Sequence, residues 1–124
     1  MGEIKSYRDL RVWIDAMTLV EGCYRFTKVF PRDEMYGLTA QIRRASVSVP
    51  ANIAEGYGRD NTGSYIQFLK IAQGSLKELE THLLLSQRLK FASFDIAEEL
   101  LSQADSIGRM LRALVRSLQS SEGR

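Results

Sequence analysis

The sequence of 124 residues contains one cysteine, one histidine and two prolines, and it has no apolar run long enough to span a membrane. The single cysteine, Cys23, cannot form an internal disulfide, and we expect it to be a buried apolar side chain rather than a reactive thiol. One histidine cannot supply the two that a ferritin-like di-iron site requires. Because the first residues also lack the apolar core of a signal peptide, we expect a cytoplasmic protein with no membrane partner, no metal and no cofactor.

Charge is also nearly balanced. Seventeen lysines and arginines stand against fifteen acidic residues, which leaves a net charge of +2. This excess is too small to indicate a polyanion partner. Residues 1–60 carry nine basic and eight acidic side chains, and residues 61–124 carry eight and seven. Neither half is a basic arm, so any nucleic-acid surface must be a local patch.

Apolar residues recur at steps of three and four, which is the spacing of an amphipathic α-helix. The pattern covers four stretches joined by short loops, at about residues 8–28, 32–57, 63–89 and 94–118. It predicts one all-α domain over residues 1–124, an antiparallel up-down-up-down four-helix bundle. Ser6 and Asp9 match a capping box for the first helix, Thr62 or Ser64 is available to cap the third, and Ser93 suits the N-cap of the fourth.

The two prolines both belong to helix two. Pro31 suits the first position of a helix. Pro50 lies inside the helix, where it removes one N–H and crowds the carbonyl group of Ser46, so we expect a kink at Pro50. The inward stripe of this helix is Leu38, Ile42, Ala45, Val49 and Ile53.

Helix one carries two apolar lines instead of one. We expect the first line to face the core, and it consists of Leu10, Trp13, Met17, Val20 and Tyr24. The second line, which includes Val12, Leu19 and Phe26, makes the apolar face unusually wide for a bundle helix.

Polar residues lie beside the apolar stripes of helices two and three. They are Arg44, Asn52 and Glu55 on helix two, and Ser75 and Glu78 on helix three. Adjacent antiparallel helices can bring these side chains to one interface, where an arginine–glutamate pair would set the register of the two helices. An active site is the alternative interpretation, and we favour a structural network.

The sequence gives little support for a catalytic or metal-binding motif. His82 follows Glu78 by four residues instead of the three of a di-iron motif, and no second motif of this kind is present. Gly56-Tyr57-Gly58 lacks the third glycine of a dinucleotide fingerprint and follows a helix. We expect no enzyme activity; an enzyme would need a pocket that contains Glu78 and His82.

Two groups of basic residues are candidates for nucleic-acid contact. Arg109, Arg112 and Arg116 project from one side of helix four, where they can either neutralise phosphates or form a solvated face. The second candidate patch is Lys5, Arg8, Arg11 and Arg43. Neither group has aromatic residues interleaved for base stacking, so we expect contacts to the nucleic-acid backbone and no sequence-specific recognition.

Four segments carry a family resemblance: Asp9-Leu10-Arg11-Val12-Trp13, Tyr36-Gly37-Leu38-Thr39, Pro50-x-Asn52-Ile53-Ala54-Glu55-Gly56 and Gly74-Ser75-Leu76-x-Glu78-Leu79-Glu80. Over about residues 9–83 the sequence resembles the 23S rRNA-intervening-sequence proteins. These are small bacterial four-helix-bundle proteins that are often encoded by insertions in genes for large-subunit ribosomal RNA.

The resemblance implies assembly into a ring-shaped homopentamer. The wide apolar face of helix one fits such an assembly, and we expect Val12, Leu19 and Phe26 to lie between copies. A related branch, the accessory proteins of diversity-generating retroelements, binds nucleic acid and a reverse transcriptase. We therefore expect a non-enzymatic homo-oligomer that binds RNA, DNA or a ribonucleoprotein through its arginine patches. The alternative is a protein-interaction scaffold, such as a reverse-transcriptase accessory subunit, without sequence-specific nucleic-acid binding.

Overall fold

A computed structural model describes residues 3–122, and over this range the chain is all α-helical with no strand. The four helices are α1 (Arg11–Thr27), α2 (Leu38–Tyr57), α3 (Thr62–Leu89) and α4 (Phe94–Glu122). Short 3-10 turns at Tyr7–Asp9 and Arg32–Glu34 precede α1 and α2. The helices pack against one another in the order α1–α2–α3–α4, and α4 returns to α1. The predicted all-α four-helix bundle is confirmed.

Side-chain caps are present near the starts of the helices, but some of them differ from the caps predicted from the sequence. The capping box of Ser6 and Asp9 is present, but it caps the 3-10 turn rather than α1. The helix that follows Pro31 is also only a 3-10 turn, and α2 begins at Leu38. Asn61, and not a residue of α3 itself, caps that helix by accepting a hydrogen bond from the backbone N–H of Ser64 at 2.7 Å.

The start of α4 follows the prediction. The hydroxyl oxygen of Ser93 accepts a hydrogen bond from the backbone N–H of Ile96 at 3.2 Å, which is the contact expected of an N-cap.

Residues early in α2 contact residues late in α3, and residues at the end of α2 contact residues near the start of α3. Near its start α2 contacts the second half of α3, where Arg44 faces Glu78, and at its end Tyr57 packs against Tyr65 near the start of α3. Such an order is produced by antiparallel helices. Pro50 is buried within α2, whose helical assignment continues through it. The kink at Pro50 stays a prediction.

The core contains the whole predicted stripe of α2, from Leu38 to Ile53. In α1 the second apolar line forms the fully buried face, and Leu10 and Trp13 of the first line pack against the edge of the core. Val12, Leu19 and Phe26 are buried among the other core residues of the same chain, so the prediction that they lie between copies is wrong. Met17 and Tyr24, which were expected inside, are exposed. Both lines are apolar, and only the positions of α2 and α4 decide which one faces inward.

Helix α4 shows a smaller shift of the same kind. Leu100, Ala104, Ile107 and Leu111 are buried as predicted. Ile96 is exposed, however, and the neighbouring Ala97 takes the core position at the start of the helix. No helix within residues 3–122 is both long enough and apolar enough to cross a membrane.

Candidate nucleic-acid interface

A basic groove runs between α3 and α4. Its floor is formed by Leu76 and Gly108, and Gln73, Lys77 and Arg112 line its sides, around a volume of about 220 Å³. Gly108 has no side chain to fill the groove, and the Arg112 guanidinium lies 3.6 Å from the position that a Cβ atom would occupy there. Two cationic groups on facing helices thus border one concave surface.

Other basic side chains extend this groove along both helices. Arg109 and Arg116 lie on the same side of α4 as Arg112, and Lys70 lies two turns before Lys77 on the same side of α3. Arg109 pairs with Asp105. Lys77 pairs with Glu80 at 3.1 Å.

Three cations of this strip have no acidic partner among residues 3–122: Lys70, Arg112 and Arg116. The positive charge of the strip therefore exceeds the acidic charge that faces it. An excess of this kind attracts phosphate groups.

The second predicted patch does not form as one surface. Arg43 donates from Nε to the Thr27 hydroxyl at 2.9 Å and places its guanidinium over the Tyr24 ring. Thr27 and Arg11 lie at opposite ends of the 17-residue α1, about 25 Å apart at 1.5 Å per residue. Grouping Arg43 with Lys5, Arg8 and Arg11 was therefore wrong.

One charge of that patch, that of Arg11, is also balanced by an acid. Arg11 pairs with Asp15 at 3.0 Å, and Arg8 stacks on the Tyr7 ring. The backbone N–H of Lys5 donates to Asp9.

The polar residues of α2 and α3 form two separate groups. In the first, the Ser48 and Ser75 hydroxyls are 2.8 Å apart across the two helices, and Asn52 donates to the Ser48 carbonyl oxygen at 2.8 Å and to its hydroxyl oxygen at 3.0 Å. In the second, Glu78 lies 3.5 Å from Arg44 and 3.3 Å from His82. No buried side-chain N or O atom in the described part of the chain lacks a partner.

Glu55 does not join either group. It pairs at 3.1 Å with Arg59, which lies just past the end of α2. The predicted Arg44–Glu78 contact exists, but the Arg44 side chain is 64% exposed. An exposed pair contributes little to stability, so the register of α2 and α3 depends more on the half-buried Ser48–Ser75 contact.

The comparisons with known proteins agree with this architecture. The family model for the 23S rRNA-intervening sequence protein matches residues 8–113. The chain belongs to the 23S rRNA-intervening sequence protein family. The fold is similar to that of a protein of unknown function from the S23 ribosomal protein family of Bacteroides thetaiotaomicron VPI-5482. The crystal structure of that protein superposes with a TM-score of 0.76, and the two sequences are 21% identical. The match covers 84% of this chain and 97% of that one, and it shows a shared fold. No curated protein matches the chain.

Two lysines, Lys77 in the groove and Lys70 beyond it on α3, were not among the basic residues predicted from the sequence. Lys70 and Lys77 belong to α3, more than thirty residues before Arg112, and only the packing of α3 on α4 brings Lys77 to it. The sequence did contain a signal for this pair, because a spacing of seven residues places two side chains on the same side of a helix.

No candidate metal site lies in the part of the chain that the structure describes. Over this part, no group of three or more histidine, cysteine or acidic side chains is placed to hold a metal ion. His82 contacts Glu78, and Glu78 also faces Arg44.

Replacing Ser75 tests the contribution of the half-buried polar contact. We expect Ser75→Ala to lower the free energy of unfolding by about 1 kcal/mol relative to Ser102→Ala, because the Ser48 hydroxyl loses its partner across the helices. Ser102 is exposed on α4, so the control cancels the change in helix propensity. Urea denaturation measures both variants. Equal stability of the two would show that the contact does not hold α2 to α3.

Proposed function

We propose that this protein is a non-enzymatic, self-associating helical bundle that binds RNA or a ribonucleoprotein through the groove between α3 and α4. The observation that supports the proposal is the strip of cations without acidic partners, Lys70, Arg112 and Arg116, beside a concave surface.

The chemistry of the groove favours the phosphate backbone over the bases. Its lining contains arginine, lysine and glutamine side chains and no aromatic ring on which a base could stack. Backbone contacts supply affinity through the release of counterions and carry little sequence information. The protein therefore binds structured or single-stranded RNA with low sequence preference and strong dependence on salt.

Self-association would multiply the effect of one weak groove. In a ring of five copies, five grooves act on one RNA molecule through effective concentration, so a feeble single contact becomes a stable complex. A pentamer is the assembly that the family resemblance implies, and it is part of this proposal.

Filter binding of a structured RNA tests the groove. We expect affinity to fall steeply between 50 and 200 mM salt. In a chain with both Arg112→Ala and Arg116→Ala, we expect the affinity to fall about tenfold and the slope of log affinity against log salt to become shallower by about 2, one unit for each lost phosphate contact.

A matched control removes the same formal charge elsewhere. The Arg11→Ala, Arg59→Ala chain loses two arginines that already pair with Asp15 and Glu55. We expect its affinity to stay within about twofold of the parent, because each arginine is already balanced by an acid. An equal loss in the two double variants would assign binding to net charge and would reject the groove.

The alternative function is a protein-interaction scaffold, such as an accessory subunit of a reverse transcriptase. It is favoured by the exposed apolar side chains that collect where α1 and α3 end and α2 and α4 begin: Val29, Met35, Tyr36, Leu85, Leu89, Phe94 and Ile96. If the filter retains no RNA at either salt concentration, the result favours this scaffold over the RNA-binding protein.

A further inference from the structure

A groove larger than the basic one lies between α1 and α4, on the other side of α4. Its volume is about 470 Å³, and Gly22, Phe26 and Leu100 contribute to its floor. A Cβ atom at Gly22 would lie 2.8 Å from the Leu100 Cδ2 atom, so the glycine allows α1 and α4 to pack closely at the floor of the groove. Grooves that hold ligands have volumes of about 300 to 1,000 Å³.

The rim of this groove carries both polar and charged side chains. Thr18, Ser93 and Gln103 offer hydrogen-bonding groups. Arg25 on α1 and Glu99 on α4 also line the groove. The site thus combines an apolar floor with a polar edge, which suits an aromatic ring that carries a hydroxyl group.

Tyr36 is a group of that kind. Its side chain is 92% exposed, more than any other large apolar residue that the structure describes, and it stands beside the exposed Met35 just before α2. Two charged and exposed residues, Arg32 and Asp33, precede it in the 3-10 turn. A fully exposed aromatic ring next to an exposed methionine is costly on a free surface and is typical of an interface.

The charges around Tyr36 complement those around the groove. The groove has one base and one acid, Arg25 and Glu99. The turn beside Tyr36 has Arg32, Asp33 and Glu34, and Glu34 already accepts a hydrogen bond from the backbone N–H of Leu38 at 2.9 Å, which leaves Arg32 and Asp33 to face a partner. None of the four remaining side chains, two at the groove and two beside Tyr36, forms an ion pair within residues 3–122. Complementary charges set the orientation of two docking surfaces more than they add affinity.

Tyr36 is 92% exposed and does not line the α1–α4 groove of its own copy, so it is free to meet that groove on another copy. Tyr36 and the groove both lie at the end of the bundle where α1 ends and α2 begins. Helix α2 packs on α1 and α3 and not on α4, so the start of α2 lies away from α4, whereas Val29, at the other end of the connection from α1, lines the groove. Contact between two unlike surfaces is heterologous, and it builds a ring when the rotation closes.

We propose that Tyr36 of one copy inserts into the groove between α1 and α4 of the next copy, with Asp33 facing Arg25 and Arg32 facing Glu99. The inference rests on the self-association in the proposed function, for which it names the contact. Of the three side chains predicted to lie between copies, Phe26 lines the floor of this groove, whereas Val12 and Leu19 do not line it.

Light scattering during size-exclusion chromatography tests the contact. We expect the parent chain to elute as an oligomer, and the dissociation constant between copies of Tyr36→Ala to rise at least tenfold, so that the variant elutes as a monomer at concentrations where the parent is assembled. Tyr36→Phe keeps the ring and is expected to stay assembled. Val47→Ala removes an exposed apolar side chain from the middle of α2, away from both surfaces, and is expected to keep the parent mass.

Charge reversal tests the orientation. Arg25→Glu and Asp33→Lys are each expected to weaken assembly, and a chain that carries both is expected to recover it, because the reversed charges attract again. Circular dichroism confirms that each variant is folded. An unchanged mass for Tyr36→Ala, or no recovery in the double variant, overturns this inference while the proposed self-association stands. A parent chain that is monomeric at all concentrations overturns both.

Discussion

Gly56→Ala is expected to lower the free energy of unfolding by about 1 to 3 kcal/mol, although alanine normally stabilises a helix interior relative to glycine. A Cβ atom at this position would lie 2.7 Å from the Phe68 Cβ atom and 3.2 Å from the Tyr65 backbone oxygen. Neither atom can rotate away, because both are fixed to the backbone of α3. The methyl group must therefore push α2 and α3 apart at this point.

Gly74→Ala is the matched control for this effect. Gly74 also lies in a helix interior, but nothing lies within 4 Å of the position that its Cβ atom would occupy. We expect this variant to gain about 0.5 to 1 kcal/mol, because alanine restricts the unfolded chain. Urea unfolding of the two variants therefore gives changes of opposite sign. A gain in both would mean that α2 and α3 separate without cost.

Cys23 is expected to react with a thiol reagent at pH 8 about a thousandfold more slowly in the folded protein than in urea. Burial raises the pKa of the Cys23 thiol from 9.0 to about 12, and a hydrogen bond with Ser46 lowers it by less. Only the thiolate reacts, so three pKa units reduce the reactive fraction about a thousandfold. Release of a chromophore from a disulfide reagent measures both rates.

The same shift makes stability depend on alkaline pH. The folded state keeps its proton to a higher pH than the unfolded chain, so Cys23 costs nothing below pH 9. Between pH 9 and about 12 the free energy of unfolding falls, by at most about 1.4 kcal/mol per pH unit from this group. We expect Cys23→Ala to reduce that slope. Rapid labelling of the folded chain, or an unchanged slope, would contradict the burial of the thiol.

The arrangement of the candidate site followed only in part from sequence. The three arginines of α4 share one side because their spacing of three and four is a property of any helix. Arg43 was misplaced because the spacing of residues within a helix says nothing about which end of a neighbouring helix they meet. The link between Ser48 and Ser75 likewise depends on the register of α2 against α3.

The amino-acid pattern by itself determined the four helices, the buried stripe of α2 and the family, because each depends on periodicity or on a contiguous motif. The tertiary structure alone decided which apolar line of α1 is covered, since Val12 and Met17 are equally suited to a core and differ only in what packs over them. It also joined Lys77 to Arg112 and left Tyr36 exposed outside the α1–α4 groove. The reason is physical: local spacing sets the direction of each side chain from its own helix axis, whereas a neighbour's position depends on how all four helices fill one core.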